Sequence, residues 1–301
     1  MSRLQILVRI IVMLNAILQD RARPDRWAIF RAYLRISCKY LFLHKLLRRN
    51  LTSERFLGHE MRFFRYGTFK YLFEEIFVEQ QYRFATANPR PTILDCGSNI
   101  GMAVLFFKHY YPGARVTAFE PDEQTFAMLS QNVAANRLEH VTLVRAALSD
   151  KQGTLTFYTD PAAPGGLCMS AQSARLPGKG HIEVPAVTLS AYLTEPVDFL
   201  KLDIEGAEEA VFAEVAAADK LQQIRVMVIE YHHHIDAQRD RFAEFLALLE
   251  RHGFGYQISA SHMPLVATAF QDILILAYRK QGGALQREAA LAADASAESS
   301  A

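Results

Sequence analysis

Cysteine is scarce in this chain of 301 residues, with only three present. Cys38, Cys96 and Cys168 lie far apart and form no C-x-x-C pair. A disulfide framework or a zinc site needs cysteines at recognisable spacings, so neither is predicted. A reducing cytoplasm is therefore the expected compartment.

The chain also lacks an apolar run long enough to cross a bilayer, which takes about 20 residues. The N-terminal run from Leu4 to Leu18 spans 15 residues and is interrupted by Arg9 and Asn15. Arg9 and the lack of a small-x-small cleavage site also argue against a signal peptide.

Net charge is nearly absent, at +1, but the two parts of the chain differ. Residues 1–55 hold 12 Lys and Arg against 3 Asp and Glu, a net of +9, and the rest holds 21 against 29, a net of −8. Between Trp27 and Arg49 two faces recur at helical spacing: an apolar face of Trp27, Phe30, Leu34 and Leu41, and a basic face of Arg31, Arg35 and Lys39. The pattern is typical of a basic amphipathic helix on an anionic membrane, or of a helix packed on the domain with its arginines in water. Nucleic acid is not predicted as a partner, because no recognised module accompanies the charge.

Composition divides the chain into four segments. A basic helical extension is predicted for residues 1–55, an aromatic-rich lead-in for 56–90, a ligand-binding domain for 91–280 and a disordered Ala/Ser/Glu tail for 281–301. Asn88, Pro89 and Pro91 mark the boundary before the domain.

The stretch from Thr92 to Tyr111 predicts a buried strand, a turn and a helix. Gly97 and Gly101 allow the backbone of the turn to approach a ligand, and the helix start offers unpaired N–H groups. Asn99 stands where a dinucleotide fingerprint has its middle glycine, and Asp95 ends the strand. A carboxylate there repels a diphosphate but attracts a cation, so S-adenosylmethionine is the favoured cofactor.

A second acid, Glu120, ends the next apolar strand, Ala114 to Phe119. In a doubly wound sheet the ends of these strands meet, and a carboxylate there accepts hydrogen bonds from a ribose diol. Because NAD enzymes use the same device, two alternatives stay open: an NAD-dependent oxidoreductase, and a non-catalytic nucleotide-binding module at a membrane. Pro121, and Ala147 after the third strand, complete the predicted cofactor site.

Strands and helices alternate from Thr92 onward, which predicts an α/β fold with a mostly parallel sheet and helices on both faces. The alternation stops between Asp160 and His181, in a loop rich in Pro, Gly and Ser. So long a loop predicts either a lid over a binding site or simple disorder.

Charged residues mark the end of the fourth strand, in VDFLKLDIEGAE. The side chains that share one side of this extended backbone are Phe199, Lys201, Asp203 and Glu205. A central parallel strand is normally apolar on both faces, so charges at its carboxyl end predict a ligand site. The fifth strand, Arg225 to Ile229, brings Glu230, Tyr231 and His232 to the same edge.

The three consecutive histidines His232 to His234 raise the question of a metal. His232 and His234 would have to join Asp203 around a divalent cation. No further ligands follow at a recognisable spacing, so no metal site is predicted.

Several stretches together resemble the FkbM-type family of S-adenosylmethionine-dependent methyltransferases, over roughly Tyr82 to Tyr278. They are ILDCGSNIG, FEPD, VTLSAYL, VDFLKLDIEGAEEAVF and VIEYH. The resemblance implies a class I, Rossmann-like sheet of seven strands with an antiparallel last strand. It also implies methyl transfer to a hydroxyl, often on a sugar or a polyketide.

The family's motifs map onto particular residues of this chain. Its cofactor residues map onto Asp95, Gly97, Asn99, Gly101 and Glu120, and its K-x-D-x-E-G signature maps onto Lys201, Asp203, Glu205 and Gly206. Cys96 stands where the family more often has an aliphatic residue, which is a conservative change. The first 55 residues lie outside the resemblance.

Methyl transfer from a sulfonium requires an aligned acceptor and a base that removes its proton. Asp203 is the first candidate base, with Lys201 beside it to keep it ionised, and His232 is the second, with Glu205 as a further candidate. A purely structural ionic cluster of Lys201, Asp203 and Glu230 is the alternative. The predicted function is O-methylation of a sugar, glycolipid or polyketide-like molecule.

Overall fold

The computed structural model describes residues 3–160, 166, 169–172, 178, 180–235, 241–260 and 271–280. The following parts of the sequence lie outside the described residues: Cys168, the tail 281–301, the predicted helix start at Ala237 and most of the loop 160–181.

Residues 3–84 form a layer in front of the sheet, called here the N-terminal layer. It consists of helix α1 (Arg3–Gln19), helix α2 (Arg26–Lys39) with a π-helical turn (Tyr40–Leu46), a hairpin of β1 (Ser53–Phe56) and β2 (His59–Arg62), and helix α3 (Tyr66–Phe73), which continues as a π-helix (Glu74–Val78). Its apolar side chains share one core with α4 residues such as Phe106 and Phe107. The layer therefore packs on the domain.

Helix α2 buries a different face from the one that its sequence predicts. Ile29, Tyr33 and Ile36 are fully buried, whereas Trp27 and Leu34 of the predicted apolar face are exposed. The buried residues also recur at helical spacing, and the Tyr33 hydroxyl donates a hydrogen bond to buried Glu74. Two apolar stripes thus compete on this helix, and tertiary contacts select the second.

The domain that follows alternates strands with helices. Its strands are β3 (Thr92–Cys96), β4 (Arg115–Phe119), β5 (Val141–Val144), β6 (Ala147–Leu148), β7 (Gly153–Thr159), β8 (Gly180–Val187), β9 (Val197–Leu202), β10 (Ile224–His233), β11 (Phe254–Ala260) and β12 (Gln271–Arg279). Its helices are α4 (Met102–Tyr110), α5 (Glu123–Ala135), α6 (Glu208–Ala217) and α7 (Phe242–Arg251).

Seven of these strands form one sheet in the order β11-β12-β10-β9-β3-β4-β5. β12 is antiparallel to both of its neighbours, and each pair from β10 to β5 is parallel. The two faces of β9 contribute to separate cores, since Phe199 packs on the α4 side and Leu200 on the α6 side. The prediction of a Rossmann-like sheet with an antiparallel last strand is confirmed.

Strands β6, β8 and β7 form a separate small sheet next to the main one. Residues 169–172 return from its loop to the turn after β9, where Ser170 donates a hydrogen bond to the Glu205 carbonyl. Gln172 likewise donates to the Gly206 carbonyl. This described part of the loop therefore lies against the carboxyl end of β9.

Among the described helices, none combines the length and the apolar character that crossing a membrane requires.

Candidate active site

The turn after β3 begins with Gly97, whose φ is +88°. A Cβ at this position would lie 1.8 Å from the backbone oxygen of Asp203. Glycine is required because the turn touches the chain that leaves β9. Gly101, with φ +92°, ends the turn and precedes α4.

Glu120 follows β4 and is 4% exposed. Its Oε2 accepts a hydrogen bond from the Asn99 N–H (3.0 Å), and its Oε1 accepts one from the Asp122 N–H (3.0 Å). Each oxygen keeps a second lone pair, which suits a pair of ribose hydroxyls. Burial raises the pKa of Glu120 to about 8, against the opposing effect of these two hydrogen bonds.

Lys201 joins the ends of β3 and β9. Its Nζ donates hydrogen bonds to the Gly97 carbonyl (2.6 Å) and to Asp203 Oδ2 (3.0 Å), and lies 3.6 Å from Asp95 Oδ1. Burial favours the neutral lysine, but Asp203, Tyr82 and Asp95 outweigh burial and raise the pKa of Lys201 well above its usual value. Burial also raises the pKa of Asp95, which lies beneath the turn with Lys201 as its ionic partner.

His232 lies in β10, with a fully buried side chain. Its Nδ1 is 2.9 Å from Glu208 Oε1, and its Nε2 is 3.3 Å from Glu205 Oε2 and 3.9 Å from Asp203 Oδ1. Burial favours the neutral ring, but these carboxylates, Glu208 foremost, outweigh it and raise the pKa of His232 to about 10. The ring therefore carries a proton at neutral pH.

The fifth strand extends further than its sequence predicts. Its predicted end is Ile229, but β10 continues to His233 because residues 230–233 pair with β12. Glu230 and His232 are thus positioned by a strand ladder and not by a loop. Glu230 is close to Asp203, and burial together with that charge raises its pKa well above the usual value.

A cavity of about 240 Å³ opens above these strand ends. Its glycine-turn end is lined from the β3 and β4 side by Gly97, Ser98, Asn99, Glu120, Pro121 and Ala147. Its carboxylate end is lined by Glu75, Asp203, Glu205, Glu230 and Asp272. Phe157 and Met169, from the small sheet and its loop, add apolar surface.

The structure brings most of the predicted site residues to this cavity. Those that line it are Gly97, Asn99, Glu120, Pro121, Ala147, Lys201, Asp203 and Glu205. Asp95 lies under the turn, Gly101 precedes α4, and His232 lines a smaller neighbouring cavity together with Glu208 and His234.

One wall comes from residues that sequence reasoning missed. Tyr71, Leu72, Glu75 and Ile76 of the N-terminal layer line the cavity beside Asp203 and Glu230. The only signal for them in the sequence is the density of aromatic and acidic residues between Phe56 and Phe84, which matches no motif.

Asp203, Glu230 and His232 each bring one potential metal-ligand atom within 4.8 Å of the others. Glu230 replaces His234 of the trio considered from the sequence, since His234 stacks on His233 with ring centroids 3.7 Å apart. These are donor types that divalent cations accept. The absence of a resident metal stays a prediction.

The strand order, the glycine turn and the buried acid after β4 together define a class I methyltransferase. A family model described as the methyltransferase FkbM domain matches residues 95–256. The chain is 32% identical to the 31-O-demethyl-FK506 methyltransferase FkbM of Streptomyces tacrolimicus, over 67% of this chain and 86% of that protein. The chain belongs to the FkbM methyltransferase family.

Two further relatives are more distant. Methyltransferase sdnD of Sordaria araneosa is 29% identical over 54% of this chain and 74% of its own length. The 2-O-methyltransferase NoeI of Sinorhizobium fredii is 26% identical over 51% of this chain and 68% of its own length.

The protein is accordingly an S-adenosylmethionine-dependent methyltransferase, which decides against the oxidoreductase and the non-catalytic module. The residues present fit this cofactor. The lone pairs of Glu120, at the end of the cavity lined by the glycine turn, suit a ribose diol. When bound, the cofactor supplies an activated methyl group on a sulfonium.

Proposed function

We propose that the enzyme is a cytoplasmic O-methyltransferase that methylates a hydroxyl group of a sugar, a glycolipid or a polyketide-like small molecule. The observation that carries the proposal is the carboxylate end of the cavity. Five carboxylates line it beside the turn to which we assign the cofactor. A hydroxyl is a poor nucleophile until a base accepts its proton, and carboxylates supply both a base and hydrogen-bond acceptors for it.

The names of two relatives support oxygen as the methylated atom. One is described as a 31-O-demethyl-FK506 methyltransferase and another as a 2-O-methyltransferase. Asp203 lies at the centre of the carboxylate end, at the carboxyl terminus of β9, where open α/β sheets bind their ligands. We assign it contact with the acceptor hydroxyl, with Lys201 and Glu205 positioning it.

The proposal is tested with S-adenosylmethionine carrying a ¹³C-labelled methyl group and an extract of small molecules and glycolipids. Mass spectrometry finds the labelled product, and the ¹³C chemical shift distinguishes O-methyl from N-methyl and S-methyl carbon. We expect an O-methyl product. Labelling confined to nitrogen or sulfur would overturn the proposal.

Asp203→Asn serves as the matched variant. It keeps the size of the side chain but removes its charge, so we expect the cofactor to bind and the labelled product to disappear. Asp150→Asn is the control, because Asp150 lies in the turn between β6 and β7 and does not line the described cavity. It should leave product formation unchanged.

We also propose that the N-terminal layer rests on an anionic membrane surface through α1. Eleven of the thirteen exposed large hydrophobic side chains among the described residues lie between Leu4 and Leu47. On α1 they include Leu4, Val8 and Ile11, which recur along the face opposite buried Ile10 and Ile17. An apolar face of this kind in a segment of net charge +9 suits a negatively charged lipid surface.

Cosedimentation with vesicles of phosphatidylcholine and phosphatidylserine tests this contact. We expect the full chain to sediment with these vesicles and less so with phosphatidylcholine alone. The double variant Val8→Ser with Ile11→Ser should lose sedimentation, whereas Ile258→Ser, an exposed apolar residue of β11, should not. Equal sedimentation of both variants would remove the membrane proposal.

A further inference from the structure

We propose that Glu75 is the catalytic base that takes the proton of the acceptor hydroxyl. The inference rests on the proposed O-methyltransferase function and names a residue outside the family-matched region, residues 95–256. It stands on the position of Glu75 in the cavity wall and on the surroundings of the other candidate bases.

Three glutamates of one short segment have three different surroundings. Glu74 is buried in the N-terminal layer, where Tyr33 and Lys70 donate hydrogen bonds to it. Glu79 is exposed and does not line the described cavity. Glu75 lines the cavity. The segment is π-helical from Glu74 to Val78, a geometry that is frequent at functional sites because it redirects side chains within a helix.

The surroundings of Glu75 suit an acceptor hydroxyl. Tyr71, one helical turn earlier, hydrogen-bonds to Glu75 and also lines the cavity. The Tyr71 side chain is partly exposed, so its ring offers an apolar face beside the carboxylate. An aromatic face next to a carboxylate is suited to holding a sugar ring or another cyclic alcohol.

The candidate bases from the sequence are paired with cations or already hold a proton, and for Glu205 the cation is His232, whose Nε2 lies 3.3 Å from its Oε2. Asp203 has Lys201 Nζ 3.0 Å from its Oδ2 and His232 Nε2 3.9 Å from its Oδ1. His232 is buried and protonated at neutral pH, so it has no lone pair with which to accept a proton. Asp203 is suited to orienting the acceptor, and Glu75 is the carboxylate that the N-terminal layer adds to the cavity.

Burial and the charged groups around Glu75 bring the pKa of this carboxyl group close to neutral pH. Burial raises the pKa of Glu75 to about 7, and the charges of Glu79 and Asp203 act in the same direction. The hydrogen bond from Tyr71 and the charge of Arg9 on α1 oppose the shift. Glu230 on β10 also faces this group. A base is most effective when its pKa lies near the working pH.

The step balances in atoms and charge. The acceptor oxygen forms a bond to the methyl carbon, and the carbon–sulfur bond breaks with its electron pair remaining on sulfur. The hydroxyl proton passes to a Glu75 oxygen. The positive charge on sulfur and the negative charge on the carboxylate disappear together, which a partly dry cavity favours.

The test compares Glu75→Gln with wild type on a panel of methyl glycosides and on the extract described above, at pH values from 5 to 9. We expect kcat to fall by about 10² to 10⁴. The acid limb of the kcat/KM profile should be lost, and S-adenosylmethionine should bind with unchanged affinity in calorimetry. Glu75→Asp should recover part of the activity with a shifted acid limb.

Glu79→Gln is the matched control, since it makes the same change one helical turn later on an exposed residue. It should keep the kcat of wild type, and its acid limb should move to slightly lower pH because the charge of Glu79 raises the pKa of Glu75. Thermal unfolding of each variant shows whether a loss of activity reflects a loss of fold. Tyr71→Phe is a second test variant, and its acid limb should shift because it removes the hydrogen bond to Glu75.

The outcomes separate the two proposals. If wild type methylates a hydroxyl and Glu75→Gln keeps its kcat or its acid limb, the assignment of Glu75 is wrong and the proposed function stands. If wild type methylates no hydroxyl in the panel or the extract, the proposed function fails and this inference fails with it.

Discussion

The two ends of the cavity are assembled in different ways. The glycine-turn end comes mainly from one continuous part of the chain, from the turn after β3 to the residues after β4. The carboxylate end combines the N-terminal layer with β10, β12 and the turn after β9, which are far apart in sequence. The glycine-turn end is thus a local structure, and the carboxylate end is a surface that only the folded chain creates.

The family match covers the two ends unequally. The matched region, residues 95–256, contains the whole glycine-turn end but neither Glu75 nor Asp272 of the carboxylate end. A change in the N-terminal layer can therefore alter the carboxylate end while the glycine-turn end stays as it is. Substitutions at each end, and at Lys201 between them, test this comparison.

The largest effect is expected where the two ends meet. Lys201→Met removes the cation between Asp95 and Asp203 and leaves Asp95 buried without its ionic partner. Breaking a buried pair from one side costs about 3 to 5 kcal/mol, so we expect a loss of that size in urea unfolding. Adding Asp95→Asn should restore part of it. Lys220→Met, at a partly buried lysine bonded to the Ser190 carbonyl, should cost much less.

Gly97→Ala should disturb the contact between the glycine turn and the chain that leaves β9. The new Cβ would have to displace the chain after β9, because it would lie 1.8 Å from the Asp203 oxygen. We expect the affinity for S-adenosylmethionine, measured by calorimetry, to fall about 100-fold, or nearly 3 kcal/mol. Gly58→Ala is the control, since Gly58 has a similar φ of +83° and nothing within 4 Å of a new Cβ. Similar losses in both variants would show that backbone strain, and not the contact, is responsible.

Buried Arg23 holds the N-terminal layer together and joins it to α4, because it also donates a hydrogen bond to the Tyr110 hydroxyl (2.7 Å). Its guanidinium donates hydrogen bonds to the carbonyls of Phe77 (2.6 Å) and Val78 (3.1 Å), directly after Glu75 and Ile76. Arg23→Met should lower the free energy of unfolding by about 2 kcal/mol, because these bonds involve a charged donor. Arg21→Met, at an exposed arginine of the same loop, should have little effect. Two separate unfolding transitions in wild type would contradict a layer that folds with the domain.

The last prediction is a pH dependence of stability at Glu120. Its pKa of about 8 in the folded protein lies above the ordinary value of 4.5, so the folded protein binds the extra proton between these values. Stability without ligand should therefore fall as pH rises from 5 to 8. Glu120→Gln should flatten this fall, as followed by thermal unfolding. An unchanged slope would mean that Glu120 keeps its ordinary pKa when folded.

Local sequence patterns were sufficient to predict much of the sheet and the glycine-turn end of the cavity. Gly97 follows β3 and Glu120 follows β4, the next strand of the same βαβ unit. Because parallel neighbouring strands end at the same edge of the sheet, the two residues lie close together. Helix α2 shows where this reasoning fails, because Trp27 and Ile29 belong to two stripes with the same period. Periodicity reveals an apolar face but not which face finds a partner.

The amino-acid sequence by itself determined the family, the cofactor and the α/β order of the chain, since these depend on short stretches whose backbone geometry is local. Only the tertiary structure decided that Asp95 lies beneath the turn, that His232 is surrounded by carboxylates, and that Glu75 reaches the cavity. Those positions depend on packing between segments far apart in sequence. The charge state and the neighbours of a side chain there are set by burial, which no local pattern specifies.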